Sequence, residues 1–155
     1  RTRLSKDLPL YGHRNWICVV DSAYPAQSRP GIETLDTGTD PITAVTSVLN
    51  ALTTTRHVRP VIYLDAELDR VPDTDAPGVD AYRKALKALL GDRPVHTLPH
   101  EEIIAKLDDA ATTFRVLILK TNLCLPYTSV FFQLDCGYWT SEAEKRLRDA
   151  MPKSK

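Results

Sequence analysis

Five consecutive apolar residues, Trp16–Val20 (WICVV), stand between a turn at Tyr11, Gly12 and His13 and a run of small, turn-forming residues that begins at Asp21. A strand with no polar face has to be covered on both sides, which is the situation of a strand inside a parallel sheet with helices above and below it. Open parallel sheets take up ligands at the carboxyl ends of their strands, so Asp21 stands where a substrate contact is expected. The plainer reading of an Asp after a strand is a turn former or helix cap, and a single turn histidine such as His13 is more often structural than catalytic.

The rest of the chain repeats this pattern. Residues 31–35 suit a short edge strand. Asp40 and Pro41 open a helix as N-cap and first-turn proline, and Ile42, Val45, Val48, Leu49 and Leu52 recur at helical spacing along one stripe. Arg59-Pro60 ends a linker, after which residues 61–64 form a second buried strand followed by Asp65. Residues 71–78 read as a surface loop; the acids nearby, Asp69, Asp73 and Asp75, lack the spacing and glycine of a calcium loop. Residues 80–90 are an amphipathic helix stopped by Gly91. Val95–Leu98 is a short strand, and His100 falls immediately before a helix over 101–110. Residues 115–120 and 130–134 are the last strands, and Ser141 with Glu144 forms a capping box for a final helix to about Met151.

Strands alternating with helices over short connections predict a three-layer α/β/α single domain with a mostly parallel sheet. Residues 1–9 are expected as a solvated N-terminal arm with room for no more than one short element, and residues 140–155 as a C-terminal helix and tail. Twenty basic and twenty acidic residues leave no net charge, which argues against a nucleic-acid partner or a membrane surface. No run reaches the length of a transmembrane helix. Cys18, Cys124 and Cys136 lie in or beside strand-like segments and read as buried free thiols without metal-ligand spacing. No glycine-rich phosphate loop follows the first strand, and no G-x-S-x-G elbow occurs. A dehalogenase-like site would need a second Asp two residues after Asp21, where Ala23 stands. His96 and His100 have the spacing of a helical metal pair, but Pro99 interrupts them, so no metal is expected.

Three segments then resemble one family. Gly12, His13, Asp21 and Pro25 make the pattern GH-x7-D-x3-P, similar to the opening signature of the D-ribose pyranase and L-fucose mutarotase family. The piece DSAYPAQS is closer to the fucose mutarotase branch, and so is AYRKAL in the amphipathic helix. Near the C-terminus, ILKTNLCLPYTSVFF resembles the family's strand, small turn and Tyr-x-Asn. Together these cover the chain from about Gly12 to Gly137 in family order.

The resemblance implies a cofactor-independent isomerase that interconverts anomers or ring forms of a fucose- or ribose-like monosaccharide. Such a reaction needs a proton placed on the ring oxygen and one removed from the anomeric hydroxyl, work suited to a histidine. By the resemblance, His13 is the general acid/base, while Asp21, Tyr127, Lys120 and His100 contact the sugar. Ser129 stands where the family has Asn, and Leu123 where it commonly has Glu. Gln27 replaces a histidine of the mutarotase branch. An amide-to-hydroxyl change shortens the reach and removes a donor, and an unpaired buried polar group costs about 1–3 kcal/mol, enough to change which sugar is accepted. The family further implies a cytoplasmic location, with export left open because the chain starts at Arg1, and a homo-oligomer with shared active sites.

Geometry bears on that last expectation. Five extended residues between His13 and Asp21 span about 16–17 Å, far more than a monosaccharide. Either the segment before Trp16 folds back along the sheet, or the site is completed across a subunit boundary; we expect the second. Two rival readings share the fold: a sugar-binding module without turnover, and a structural subunit in which His13 merely caps a turn.

Overall fold

The apolar runs become the strands of a single sheet. The computed structural model describes residues 2–153, so Arg1 of the expected arm and residues 154–155 of the tail lie outside the described residues. Strands β1 (Trp16–Val20), β2 (Ile32–Asp36), β3 (Val58–Asp65), β4 (Val95–Leu98), β5 (Val116–Lys120) and β6 (Val130–Cys136) form the order β2-β5-β1-β6-β3-β4. The β1–β5, β2–β5 and β3–β4 pairs are parallel. β6 alone runs antiparallel, wedged between β1 and β3.

Helices α1 (Arg3–Asp7), α2 (Pro41–Thr53), α3 (Val79–Leu90), α4 (His100–Ala111) and α5 (Ser141–Ala150) complete the fold. Successive strand residues point to opposite faces, so β1 feeds two cores. Ile17 and Val19 pack with Val45, Leu49 and Leu86 of α2 and α3. Trp16, Cys18 and Val20 pack on the other side with Ile103 and Leu107 of α4. Each fully buried Leu or Ile contributes about 1.5–3 kcal/mol, so these few side chains suffice to hold α4 against the sheet. Helices on both faces give the three-layer arrangement with a mostly parallel sheet. None of the helices among the described residues is long and apolar enough to cross a membrane.

Local signals explain most boundaries. Asp40 caps α2 by accepting the Thr43 N–H at 2.9 Å, an interaction worth about 1 kcal/mol. Gly91 ends α3 with φ 58°, a left-handed conformation that suits glycine. Ile42, at one edge of the α2 stripe, is only half-buried. In the 71–78 loop, Asp73 accepts the backbone N–H groups of Gly78 and Asp80 and so caps the start of α3.

Four expectations need correction. The N-terminal segment is not a solvated arm: it forms α1 and then a 3-10 turn at Leu8–Leu10, two short elements rather than one, and Leu4 and Leu8 are buried in the α2–α3 core. Arg59-Pro60 is not a linker but part of β3. Proline is tolerated there because β4 begins to pair with β3 only at Ile62, so no ladder bond is lost on that side. The α5 cap is Thr140, which accepts the Ala143 N–H at 3.0 Å, while Glu144 instead accepts the Trp139 indole N–H at 2.7 Å and pairs with Arg148. All three cysteines are free, yet only Cys18 is buried; Cys124 is exposed and Cys136 half-buried.

Gly137 lies at the point where the chain leaves β6. A Cβ there would run into the Arg56 carbonyl oxygen and come within 3.0 Å of the Val58 nitrogen. Gly137→Ala should therefore lower stability by about 1–3 kcal/mol, read as a shifted urea midpoint. Gly12→Ala is the control, since nothing lies within 4 Å of its would-be Cβ. Equal midpoints for the two variants would contradict this packing.

Candidate functional site

Because β6 runs against its neighbours, its beginning lies level with the carboxyl ends of β1, β3 and β5. One residue beyond the last pairs, Val19–Val130 and Leu64–Val130, stand Val20, Ser129 and Asp65. Lys120 pairs with Val20 from the other side, and Asp21 follows directly. The loop after β1 is tied to the turn after β5: the Thr121 hydroxyl donates to the Val20 carbonyl, and the Ser22 N–H donates to the Leu123 carbonyl. Asp21 accepts the Ala23 N–H at 3.3 Å.

His100, the first residue of α4, closes this group. Its Nδ1 lies 2.9 Å from Asp65 Oδ1. Its backbone N–H donates to the Glu67 carboxylate at 2.9 and 3.1 Å, supplying the cap that Pro99 has no side-chain group to provide. Its ring meets Tyr127 edge-on, with centroids 5.6 Å apart. Tyr127 is 40% exposed, so its ring is available to a ligand. Its φ of 57° places a non-glycine residue in the left-handed region, a conformation that costs on the order of 1 kcal/mol or more and is common at ligand sites. Thr128 and Ser129 behind it are buried, and the Thr128 carbonyl accepts the Tyr82 hydroxyl at 2.5 Å.

Asp65 is 2% exposed, and its Oδ2 has no hydrogen-bond partner among the described residues. Burial pushes its carboxyl up to about 6 despite the opposing pull of His100, with Glu67 and Asp21 adding to the rise. Burial likewise raises the Tyr24 phenol, whose hydroxyl donates to Gln27 at 3.0 Å.

His13 sits at the other end of the sheet. The turn before β1 is fixed by Gly12 N–H donating to Asn15 Oδ1 and by Arg14 N–H donating to the Leu134 carbonyl. His13 Nδ1 lies 3.0 Å from Asp135 Oδ1, and Arg59 holds the second oxygen of Asp135 at 2.9 Å. Partial burial works against the Asp135 carboxylate, but Arg59, the Cys136 N–H and His13 outweigh it and hold its pKa below the usual value. The imidazole is 55% exposed and faces a groove that Tyr138, Trp139 and Arg148 also line.

The sequence-predicted residues thus divide. Asp21, His100, Lys120, Tyr127 and Ser129 gather at the carboxyl ends of the strands, and His13 stands apart from them at the opposite end of the sheet. The segment before Trp16 does not fold back toward Asp21. Asp65, Glu67 and Asp135 were not singled out from the sequence as site residues. Asp65 repeats the apolar-run-then-Asp pattern of Asp21, and that signal could have found it. Leu123 packs against the α2–α3 core. His96 lies against Tyr63 rather than with His100, and among the described residues no group of three metal-ligating side chains occurs.

No protein-family model matches the sequence, and no curated protein is significantly similar to it. Solved structures do resemble it. Bacillus subtilis RbsD complexed with D-ribose matches with a TM-score of 0.59 at 21% identity, over 90% of this chain and 95% of that one. The fucose mutarotase of Streptococcus pneumoniae in complex with L-fucose matches with a TM-score of 0.57 at 18% identity, over 90% and 94%. FucU from Bifidobacterium longum matches with a TM-score of 0.55 at 16% identity, over 88% and 94%. With nearly whole chains superposing, this protein has the fold of RbsD, FucU and the fucose mutarotase.

Proposed function

We propose that the protein is a monosaccharide isomerase of the mutarotase or pyranase type, acting without a cofactor. The observation that carries this reading is the gathering of Asp21, His100, Tyr127 and Ser129 at one end of the sheet, on a fold whose neighbours are a D-ribose complex and a fucose mutarotase bound to L-fucose. A carboxylate and hydroxyls suit sugar hydroxyls, a half-exposed phenol ring suits a sugar face, and an imidazole suits proton transfer.

The reaction balances without an outside reagent. One group takes the anomeric O–H proton, the anomeric C=O forms, and the bond from the anomeric carbon to the ring oxygen breaks. A second group delivers a proton to the ring oxygen, and closure on the other face of the carbonyl gives the other anomer. His13 is one of these groups. Since it lies about a strand length from Asp21, a second copy of the chain supplies it, which makes the active protein a homo-oligomer.

Exchange NMR of anomeric protons over a panel of monosaccharides tests the proposal. Accelerated exchange for at least one sugar is expected; saturable binding with unchanged exchange would replace the enzyme by a binding module. Asp21→Asn should mainly weaken sugar binding, because it keeps the shape but loses a strong charged acceptor. An unchanged binding constant would remove Asp21 from the site.

A further inference from the structure

The cluster at the strand ends contains a group that the resemblance did not assign. We propose that Asp65 is the positioning residue of His100: its buried carboxylate accepts the Nδ1 proton and leaves Nε2 as the ring nitrogen that meets the sugar. This rests on the isomerase reading and gives the site its second proton-transfer group.

Geometry fixes the roles. An ionised carboxylate only accepts, so at 2.9 Å from Asp65 Oδ1 the His100 Nδ1 must donate. The Glu67 contact to the His100 backbone and the Tyr127 contact to its ring allow little rotation. The groups that bear on Asp65 are His100, Glu67 and Asp21, and Asp65 in turn bears on the Tyr24 and Tyr82 phenols. His100 is the one among them that gains a positive charge when it takes a proton. When Nε2 accepts the anomeric proton, the charge that forms on the imidazole therefore meets a carboxylate already in place.

Stability alone does not account for this carboxylate. Asp65 is only 2% exposed, and one of its oxygens lacks a partner among the described residues. An orphaned buried polar atom is costly, and where one is retained it calls for a functional explanation. Ser129, across from it, is small and also buried. His100 is the contact through which the Asp65 charge reaches the partly exposed surface, its side chain being 25% exposed.

The test reads the ring directly. In protein labelled with 15N at histidine, His100 of the wild type should show Nδ1 protonated and Nε2 bare in its neutral form, whereas Asp65→Asn should show both tautomers. In exchange kinetics, Asp65→Asn should lower kcat by about tenfold or more with little change in KM, the signature of a lost tautomer constraint. His100→Gln combined with Asp65→Asn should be no slower than His100→Gln alone. A protonated Nε2 in the wild type overturns the proposal, as does an unchanged kcat in Asp65→Asn, or a double variant slower than the His100 variant. A wild type silent on every sugar would instead overturn the isomerase reading, and the nitrogen shifts would then still decide the Asp65–His100 arrangement without any variant.

Discussion

Mixing inactive His13→Ala chains with inactive Asp21→Ala chains, under conditions that allow subunits to exchange, should bring activity back. Each variant alone should be nearly silent at low sugar concentration: removing the proton-transfer group His13 costs about 10²–10⁴-fold, and removing Asp21 takes away a strong charged acceptor for a sugar hydroxyl. In a shared site, the His13 of one chain meets the Asp21 of its neighbour. At equal mixing, about a quarter of the sites then combine an intact His13 with an intact Asp21, so about a quarter of wild-type activity is expected. A site built within one chain regains nothing, because every chain in the mixture lacks one residue or the other. His13 is suited to this test. Its imidazole is 55% exposed and, among the described residues, is held by Asp135 alone at that end of the sheet, so alanine there should leave the fold intact. An active species that sediments as a monomer would also defeat the shared-site proposal.

Asp65→Asn should make the protein more stable at pH 8 while making it a poorer catalyst. The folded-state pKa of Asp65 is raised from 3.8 to about 6. Between those values the folded chain keeps a proton that the unfolded chain releases. The favourable contribution is therefore fully present below pH 3.8 and is lost as pH rises through about 6. Above that, holding the carboxylate ionised and buried costs on the order of 2–3 kcal/mol, each pKa unit being worth about 1.4 kcal/mol. Asparagine keeps the shape without the charge and can hydrogen-bond either tautomer of His100, through its oxygen or its amide N–H. Urea unfolding should give the variant up to that advantage at pH 8 and almost none at pH 4. A variant less stable than wild type at pH 8 would mean that the hydrogen bond from His100 to the carboxylate outweighs the burial of the charge, and would overturn this prediction.

The elements that depend on local pattern were legible in the sequence. Trp16–Val20 and Val95–Leu98 fall where the apolar runs put them, and Asp40 caps α2 as its position beside Pro41 suggests. Failures arise where the outcome depends on distant partners. Leu4 and Leu8 are too few to announce a helix, yet the α2–α3 core gives them somewhere to go. Pro60 argued against a strand because the late start of β4 is invisible in the local sequence. At the site, Asp21, Lys120, Tyr127 and Ser129 could be placed from motif residues beside strands. The contacts His13–Asp135 and His100–Asp65 could not, since each joins residues brought side by side only by strand order and direction. Thr140 displaced Ser141 as the α5 cap because Glu144 is held by Trp139 and Arg148.

The reversed direction of β6 makes one short segment a spacer with a functional group at each end. Tyr127 and Ser129 stand before its first residue, and Asp135, which holds His13, is its sixth of seven. At about 3.4 Å per residue, the segment from Ser129 to Asp135 sets a separation of about 20 Å. Residues cannot be added to or removed from this strand without moving both ends, and a slip by one would also exchange its inward and outward side chains. In an assembly where the His13 end of one copy faces the Tyr127 end of another, that fixed length becomes the ruler by which neighbouring copies must be set. Under the isomerase proposal, changes of sugar preference are then expected in the loops around Gln27 and Leu123 rather than along β6.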